Sequence, residues 1–178
     1  MKNKAIVAVI FLQFLALVVF AQKNSGLGAL LNKKSEFIFP QTADKVSAAL
    51  NVKAVFYEDA NEEKYAKWLC NTGLELYCTL GENKRIDDMS FDIAEDKFVV
   101  VSGLPYNLTM NKSTVEQCVA KFKNSKIKKE KLGDDSSFSG GTKLTFKQEK
   151  HYVTLLFDQE NLLKFLSITP DLIDPAAN

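Results

Sequence analysis

Residues 75–91 read ELYCTLGENKRIDDMSF and residues 152–168 read YVTLLFDQENLLKFLSI, and whether these are one structural unit written twice decides the fold. Laid on each other without a gap at an offset of 77, they pair Leu76 with Val153, Cys78 with Leu155, Leu80 with Phe157, Ile86 with Leu163, Met89 with Leu166 and Phe91 with Ile168. Both copies alternate apolar and polar residues as a half-buried strand does. Each then breaks at a polar turn, GENK (81–84) or DQEN (158–161), and enters a second strand.

Working upstream, each copy is preceded by a helix signal. In TADKVSAAL (42–50), Thr42 can serve as N-cap, Asp44 lies in the first turn, and Val46, Ala49 and Leu50 share one face. In STVEQCVAKF (113–122), Ser113 and Glu116 form a Ser-x-x-Glu capping box ahead of an apolar stripe of Val115, Cys118, Val119 and Phe122. Setting Val46 on Val115 aligns Ala49 with Cys118 and Leu50 with Val119, at an offset of 69. The second unit therefore holds a longer excursion between helix and sheet, and the Lys- and Gly/Ser-rich run 123–141 is its place.

The expected fold class is α+β: two tandem repeats of a helix plus an antiparallel meander of about three or four strands, with the helices packed on one face of the sheet. The first helix-plus-sheet unit is placed at 37–101 and the second at 102–169, followed by a tail at 170–178. Residues 22–36, QKNSGLGALLNKKSE, are expected as a tether or short peripheral helix. Residues 1–21 have two lysines, an apolar run from Ala5 to Phe20 and the small-residue exit Val19-Phe20-Ala21, the pattern of a secretory signal peptide. That run is shorter than the ~20 residues that span a bilayer. The expected destination is periplasmic or secreted, with the mature chain starting at Gln22.

Removing Lys2 and Lys4 with the leader takes the 23 basic residues to 21 against 22 acidic ones, a formal charge of −1 that gives no reason to expect nucleic acid. Three cysteines, Cys70, Cys78 and Cys118, leave at least one thiol unpaired in a monomer. No Cys-x-x-Cys is present, and the single histidine, His151, is remote from all three in sequence, so neither metal nor cofactor is expected.

The segment LPYNLTMNKSTVEQCVAKF (104–122) resembles the opening Leu-x-x-Gly-Met-[Ser/Thr]-x-x-x-Val-x-x-x-Leu-Gly of the beta-lactamase-inhibitor-protein-like superfamily, which includes small outer-membrane assembly lipoproteins. YVTLLFDQENLLKFLSI is similar to that superfamily's closing hairpin, an apolar strand, Phe-Asp, a turn and a strand. The chain departs at the glycine, where Asn111 follows Met110 instead, and at Leu-Gly, replaced by Phe122-Lys123. The resemblance covers 37–168 and implies a secreted or periplasmic tandem of two helix-plus-sheet units. It carries fold further than function, and no inhibitory residue transfers.

Catalytic residues are not expected. His151 opens the strand HYVTLLF at the edge of the core, and Cys118 sits in a helix stripe as a small apolar residue would. The carboxylates Asp87, Asp88, Asp92, Glu95 and Asp96 lack calcium-loop spacing and alternate with Met89, Phe91 and Ile93, as on a solvated strand face. The sheet face turned from the helices is more informative. If Leu76, Cys78 and Leu80 point inward, then Glu75, Tyr77 and Thr79 point out, as do Tyr152, Thr154 and Leu156, while Lys143, Thr145 and Lys147 flank Leu144 and Phe146.

Tyr with Lys and Thr suits a protein-binding surface, so Tyr77, Tyr152, Glu75, Thr154 and Lys143 are the expected partner contacts. Trp68 joins them or the core according to its hairpin: a three-residue loop, Asn71-Thr72-Gly73, faces it to Leu76, and a two-residue loop puts it outside beside Tyr77. Either loop separates Cys70 from Cys78, while Cys118 could bond Cys78 if the second helix covers that strand. The lysine run, and Lys126, Lys128 and Lys129 in particular, could contact an anionic envelope surface. Three functions follow, in order: a non-enzymatic exported module holding another protein, most concretely an inhibitor or immunity-type protein; a cell-envelope structural or assembly factor touching membrane or peptidoglycan through the lysine run; and, third, a hydrolase that would act through His151 or the acidic cluster.

Overall fold

The computed structural model describes residues 22–23, 26–93 and 98–171; the signal-peptide reading of 1–21, nearly all of the tail, and Glu95 and Asp96 lie outside the described residues. The strands run, in chain order, β1 Gln22–Lys23, β2 Gln41–Thr42, β3 Val55–Glu58, β4 Lys64–Leu69, β5 Leu74–Thr79, β6 Arg85–Ile86, β7 Met89–Ile93, β8 Val101–Leu104, β9 Leu108–Met110, β10 Lys128–Lys131, β11 Thr142–Gln148, β12 His151–Phe157 and β13 Leu163–Thr169. Helix α1 spans Ala43–Leu50 and α2 spans Val115–Lys121. The protein is α+β. Eight strands form one antiparallel sheet in the order β10-β11-β12-β13-β7-β5-β4-β3, beside a three-stranded β1-β8-β9 sheet and a β2-β6 pair.

Each helix is thus followed by a four-stranded meander, and the meanders meet through their last strands, β7 and β13. The registers obey the sequence offset. Leu76 pairs with Phe91 and Tyr77 with Ser90, while 77 residues on Val153 pairs with Ile168 and Thr154 with Ser167. At the junction Ser90 pairs with Ser167, its own counterpart, and the flanking pairs Phe91–Leu166 and Met89–Ile168 exchange under the same offset. The two hydroxyls hydrogen-bond at 3.0 Å.

The period-2 pattern fixes which face is buried. Following the register, Trp68, Leu76, Phe91, Leu166, Leu155 and Leu144 form a row across six strands, and all six side chains are inaccessible to solvent. Ala66, Cys78, Met89, Ile168, Val153 and Phe146 form a second buried row. Trp68 Nε1 donates to Ser47 Oγ of α1 at 2.9 Å, and Phe122, which ends α2, packs on Phe146 with ring centroids 4.3 Å apart.

Local chemistry explains the elements. Thr42 caps α1 by accepting from the Lys45 N–H, and Asn51 closes it in the left-handed region. The cap of α2 lies one residue later than Ser113/Glu116. Thr114 accepts from the Gln117 N–H, and the Gln117 side chain accepts from the Thr114 N–H. Ser113 is engaged elsewhere: its hydroxyl accepts from the Thr109 N–H and its carbonyl from the Leu163 N–H, so Thr114 is the first residue free to cap. Val119, expected in the apolar stripe, is 39% exposed, and Val115, Cys118 and Phe122 alone form the buried side.

The hairpin at Cys70–Leu74 has the three-residue loop, closed by the Cys70 N–H to Leu74 O bond with Gly73 at φ +84°. That register puts Trp68 opposite Leu76, in the core, which removes it from the partner-facing set.

Of the two readings of residues 22–36, the short helix is present, as a 3-10 turn at Leu27–Leu30, but it is not peripheral: β1 pairs in parallel with β8, Leu27 and Leu30 are core residues, and a Cβ on Gly26 would lie 2.1 Å from the Ala49 carbonyl oxygen of α1. The lysine run is in part a strand, β10, paired with β11 from Lys128–Thr145 to Lys131–Thr142. All three cysteines are buried, and Cys78 and Cys118 are not bonded to each other. Among the described residues no helix is long and apolar enough to cross a membrane.

Candidate functional site

The rows that alternate with the core rows make up the outer face. Its central row runs Val55, Lys67, Tyr77, Ser90, Ser167, Thr154, Thr145 and Lys128, one residue from each of the eight strands. One flanking row carries Tyr57, Tyr65 and Thr79 at one end and Thr169, Tyr152 and Lys147 at the other. The opposite flanking row runs Leu69, Glu75, Asp92 and, in the other meander, Phe165, Leu156, Lys143 and Glu130. Five expected contacts, Tyr77, Tyr152, Glu75, Thr154 and Lys143, therefore share one face.

Packing along that face is uneven. Tyr77 lies half-buried near the junction with Phe165 at 6.4 Å between centroids; burial, then the charge of Asp92, pushes its phenol up to about 12. Glu75 accepts a 2.7 Å ion pair from Lys67. At the β3 end Tyr57 and Tyr65 stack at 5.1 Å, and the Tyr65 hydroxyl donates to Glu63 and Asp59. The same end of this face exposes Val55 (64%) on the edge strand β3 and Leu69 (54%) on β4, while Phe56, in register with Ala66, is exposed on the other side. The sequence reading passed over β3 as variable loop, although the run Val55-Phe56-Tyr57 is a strand-forming composition.

At the β10 end the face dips into a cleft of about 620 Å³ whose lining includes Lys126, Lys128, Lys143, Lys147, Thr145 and Tyr152. Lys147 Nζ lies 5.3 Å from the centre of the Tyr152 ring, and Lys128 pairs with Glu130 at 2.9 Å. The structure thus brings Lys126 and Lys128 together with Tyr152, Thr154 and Lys143. Lys129 is separated from them: it pairs in register with inward-facing Leu144 and lies toward Glu116 of α2.

The chemistry-bearing residues elsewhere have structural surroundings. His151 packs on Phe39 with centroids 4.8 Å apart. Burial pushes the Cys78 thiol up to about 12 and the Cys118 thiol up to about 11, away from thiolate chemistry at neutral pH. Asp87 binds Arg85, and both oxygens of Asp88 lie 3.2 Å from the Thr79 N–H, which moderates a carboxyl that burial lifts to about 6. Among the described residues no three His, Cys, Asp or Glu side chains are grouped to hold a metal. Scans of the chain against protein-family models, curated proteins and solved structures find no match.

Proposed function

We propose that the chain is an exported, non-enzymatic binding module built from two helix-plus-meander units, with both helices on the buried face and a partner protein held on the outer one. The duplicated reading is supported by the shared 77-residue offset of the hairpin registers and by the self-paired Ser90–Ser167 junction. The contacts of Ser47 with Trp68 and of Phe122 with Phe146 support the placement of the helices. An inhibitor or immunity-type protein is the concrete form.

The observation that carries the binding reading is the outer face of the eight-stranded sheet, with half-exposed Tyr65, Tyr77, Tyr152 and Phe165 and the exposed Val55, Tyr57 and Leu69. Aromatic residues on a rigid sheet bury large areas on association at low entropic cost, which is why they dominate interface energetics. With protein extracted from its own envelope or culture fluid as prey, wild-type bait should capture a partner that Tyr77→Ala with Tyr152→Ala loses, by about tenfold or more in affinity. Undiminished capture by a folded double variant would remove the outer face as the binding surface.

A second reading, a cell-envelope structural or assembly factor contacting membrane or peptidoglycan, is favoured by the exposed lysines of β10. Under it, charge removal at Lys126, Lys128 and Lys129 abolishes envelope association and the tyrosine variants leave it intact.

A further inference from the structure

One residue lining the cleft at the β10 end carries a polar atom with no hydrogen-bond partner. Thr145 is 7% exposed, and its Oγ1 is the one buried side-chain oxygen or nitrogen among the described residues without a hydrogen-bond partner. A buried hydroxyl left unpaired costs stability, so such groups are rare unless something else satisfies them.

Its neighbours say what that something is. Along β11, Lys143 and Lys147 stand two residues to either side of Thr145 on the same face, each about 6–7 Å away in backbone spacing. Across the ladder Lys128 is directly opposite on one side and Thr154 on the other. Lys126 completes the rim. Glu130 is the one carboxylate in the lining and is held by Lys128, while Lys126, Lys143 and Lys147 have no carboxylate partner among the described residues. Four lysines and one carboxylate thus line, together with Thr145, a cleft of small-ligand size.

We propose that this cleft is an oxyanion site, in which a carboxylate or phosphate oxygen accepts a hydrogen bond from Thr145 Oγ1 while Lys126, Lys143 and Lys147 supply the counter-charge. Lysine suits this role as a mobile point charge that follows an oxyanion of any orientation. The site goes beyond the protein-binding reading and stands without it, because a free anion would fill the cleft with no partner protein present. It gives Lys143, Lys147 and Lys126 a shared task that the lysine run alone did not suggest.

The test is a titration of the purified protein followed by amide NMR at constant ionic strength, with sodium phosphate, citrate and a hexaglutamate peptide as separate probes and sodium chloride as the control. Saturable shifts confined to residues 126–130, 143–147 and 152–154, absent with chloride, are expected. Saturation by phosphate or citrate identifies a free small anion; saturation by the peptide alone identifies carboxylates presented by another chain. Thr145→Val, which keeps the shape and removes the hydroxyl, should weaken binding at least fivefold and leave the melting temperature unchanged or higher, since no internal bond is lost. Lys143→Gln with Lys147→Gln should weaken binding at least tenfold and flatten its dependence on salt. Shifts that fail to saturate, or match those with chloride, overturn the site. So does Thr145→Val that binds as the wild type does, or that melts well below it and so reveals an internal partner for the hydroxyl.

Discussion

Replacing Trp68 with alanine should destabilise the protein by about 3–5 kcal/mol in chemical denaturation, the range for emptying a large aromatic site in a close-packed core. The indole is wholly buried, opens the row that crosses six strands to Leu144, and ties that row to α1 through Ser47. Truncation therefore removes three things together: the transferred apolar area, the neighbours' contacts across the vacated volume, and the partner of the Ser47 hydroxyl. Trp68→Phe should fall between, at about 1–2 kcal/mol, because the ring volume is largely kept and the hydrogen bond is lost. A cost below about 0.5 kcal/mol for the alanine variant would mark Trp68 as a surface residue and the hairpin as having the two-residue loop.

Gly141→Ala should cost about 3 kcal/mol or more for a different reason. A Cβ at that position would lie 1.9 Å from the carbonyl oxygen of Phe157 and 2.8 Å from that of Phe138, and both obstacles are backbone rather than a movable side chain. Relief requires the start of β11 to withdraw from the end of β12, where Thr142 pairs with Phe157. Overpacking of this kind commonly costs 1–3 kcal/mol even where side chains can yield. Lys143 and Thr145 lie just beyond, so the variant should also lose the oxyanion cleft. Gly28→Ala is the matched control: a Cβ there meets nothing within 4 Å, and a change within about 0.5 kcal/mol is expected. Equal stability of the two variants in thermal melts would contradict the close approach of β11 and β12.

The parts of the fold that were legible are those where a local pattern and a tertiary face coincide. Leu76, Cys78, Leu155 and Phe157 alternate with polar residues because one side of their strands is buried, and that alternation carries the 77-residue offset into the register itself. Edge strands give no such signal. Val55–Glu58 is exposed at all four positions, and Lys128–Lys131 is a charge run whose pairing with β11 leaves little apolar trace.

The cap of α2 depended on choosing between Ser113 and Thr114, which are equivalent in chemistry until β9 and β13 claim Ser113. Trp68 depended on whether Gly73 or its neighbour took the positive φ, and glycine permits either loop. The direction of Tyr77, Tyr152, Glu75, Thr154 and Lys143 followed from alternation alone. Their gathering with Lys126 and Lys128 did not, because the cleft joins β10, β11 and β12 with the chain that precedes β10. Nothing in residues 22–36 announced that Leu27 and Leu30 would reach the core.

The outer face exists as one eight-stranded surface only if β7 and β13 pair, since every other adjacency in the large sheet lies within one meander or the other. Cross-strand NOEs between the backbone protons of β7 and β13 test this directly. The expected result is a consecutive set of contacts at Phe91–Leu166, Ser90–Ser167 and Met89–Ile168. Intact NOE ladders within each meander, with none between Ser90 and Ser167, would show two separate four-stranded sheets and contradict a continuous binding face.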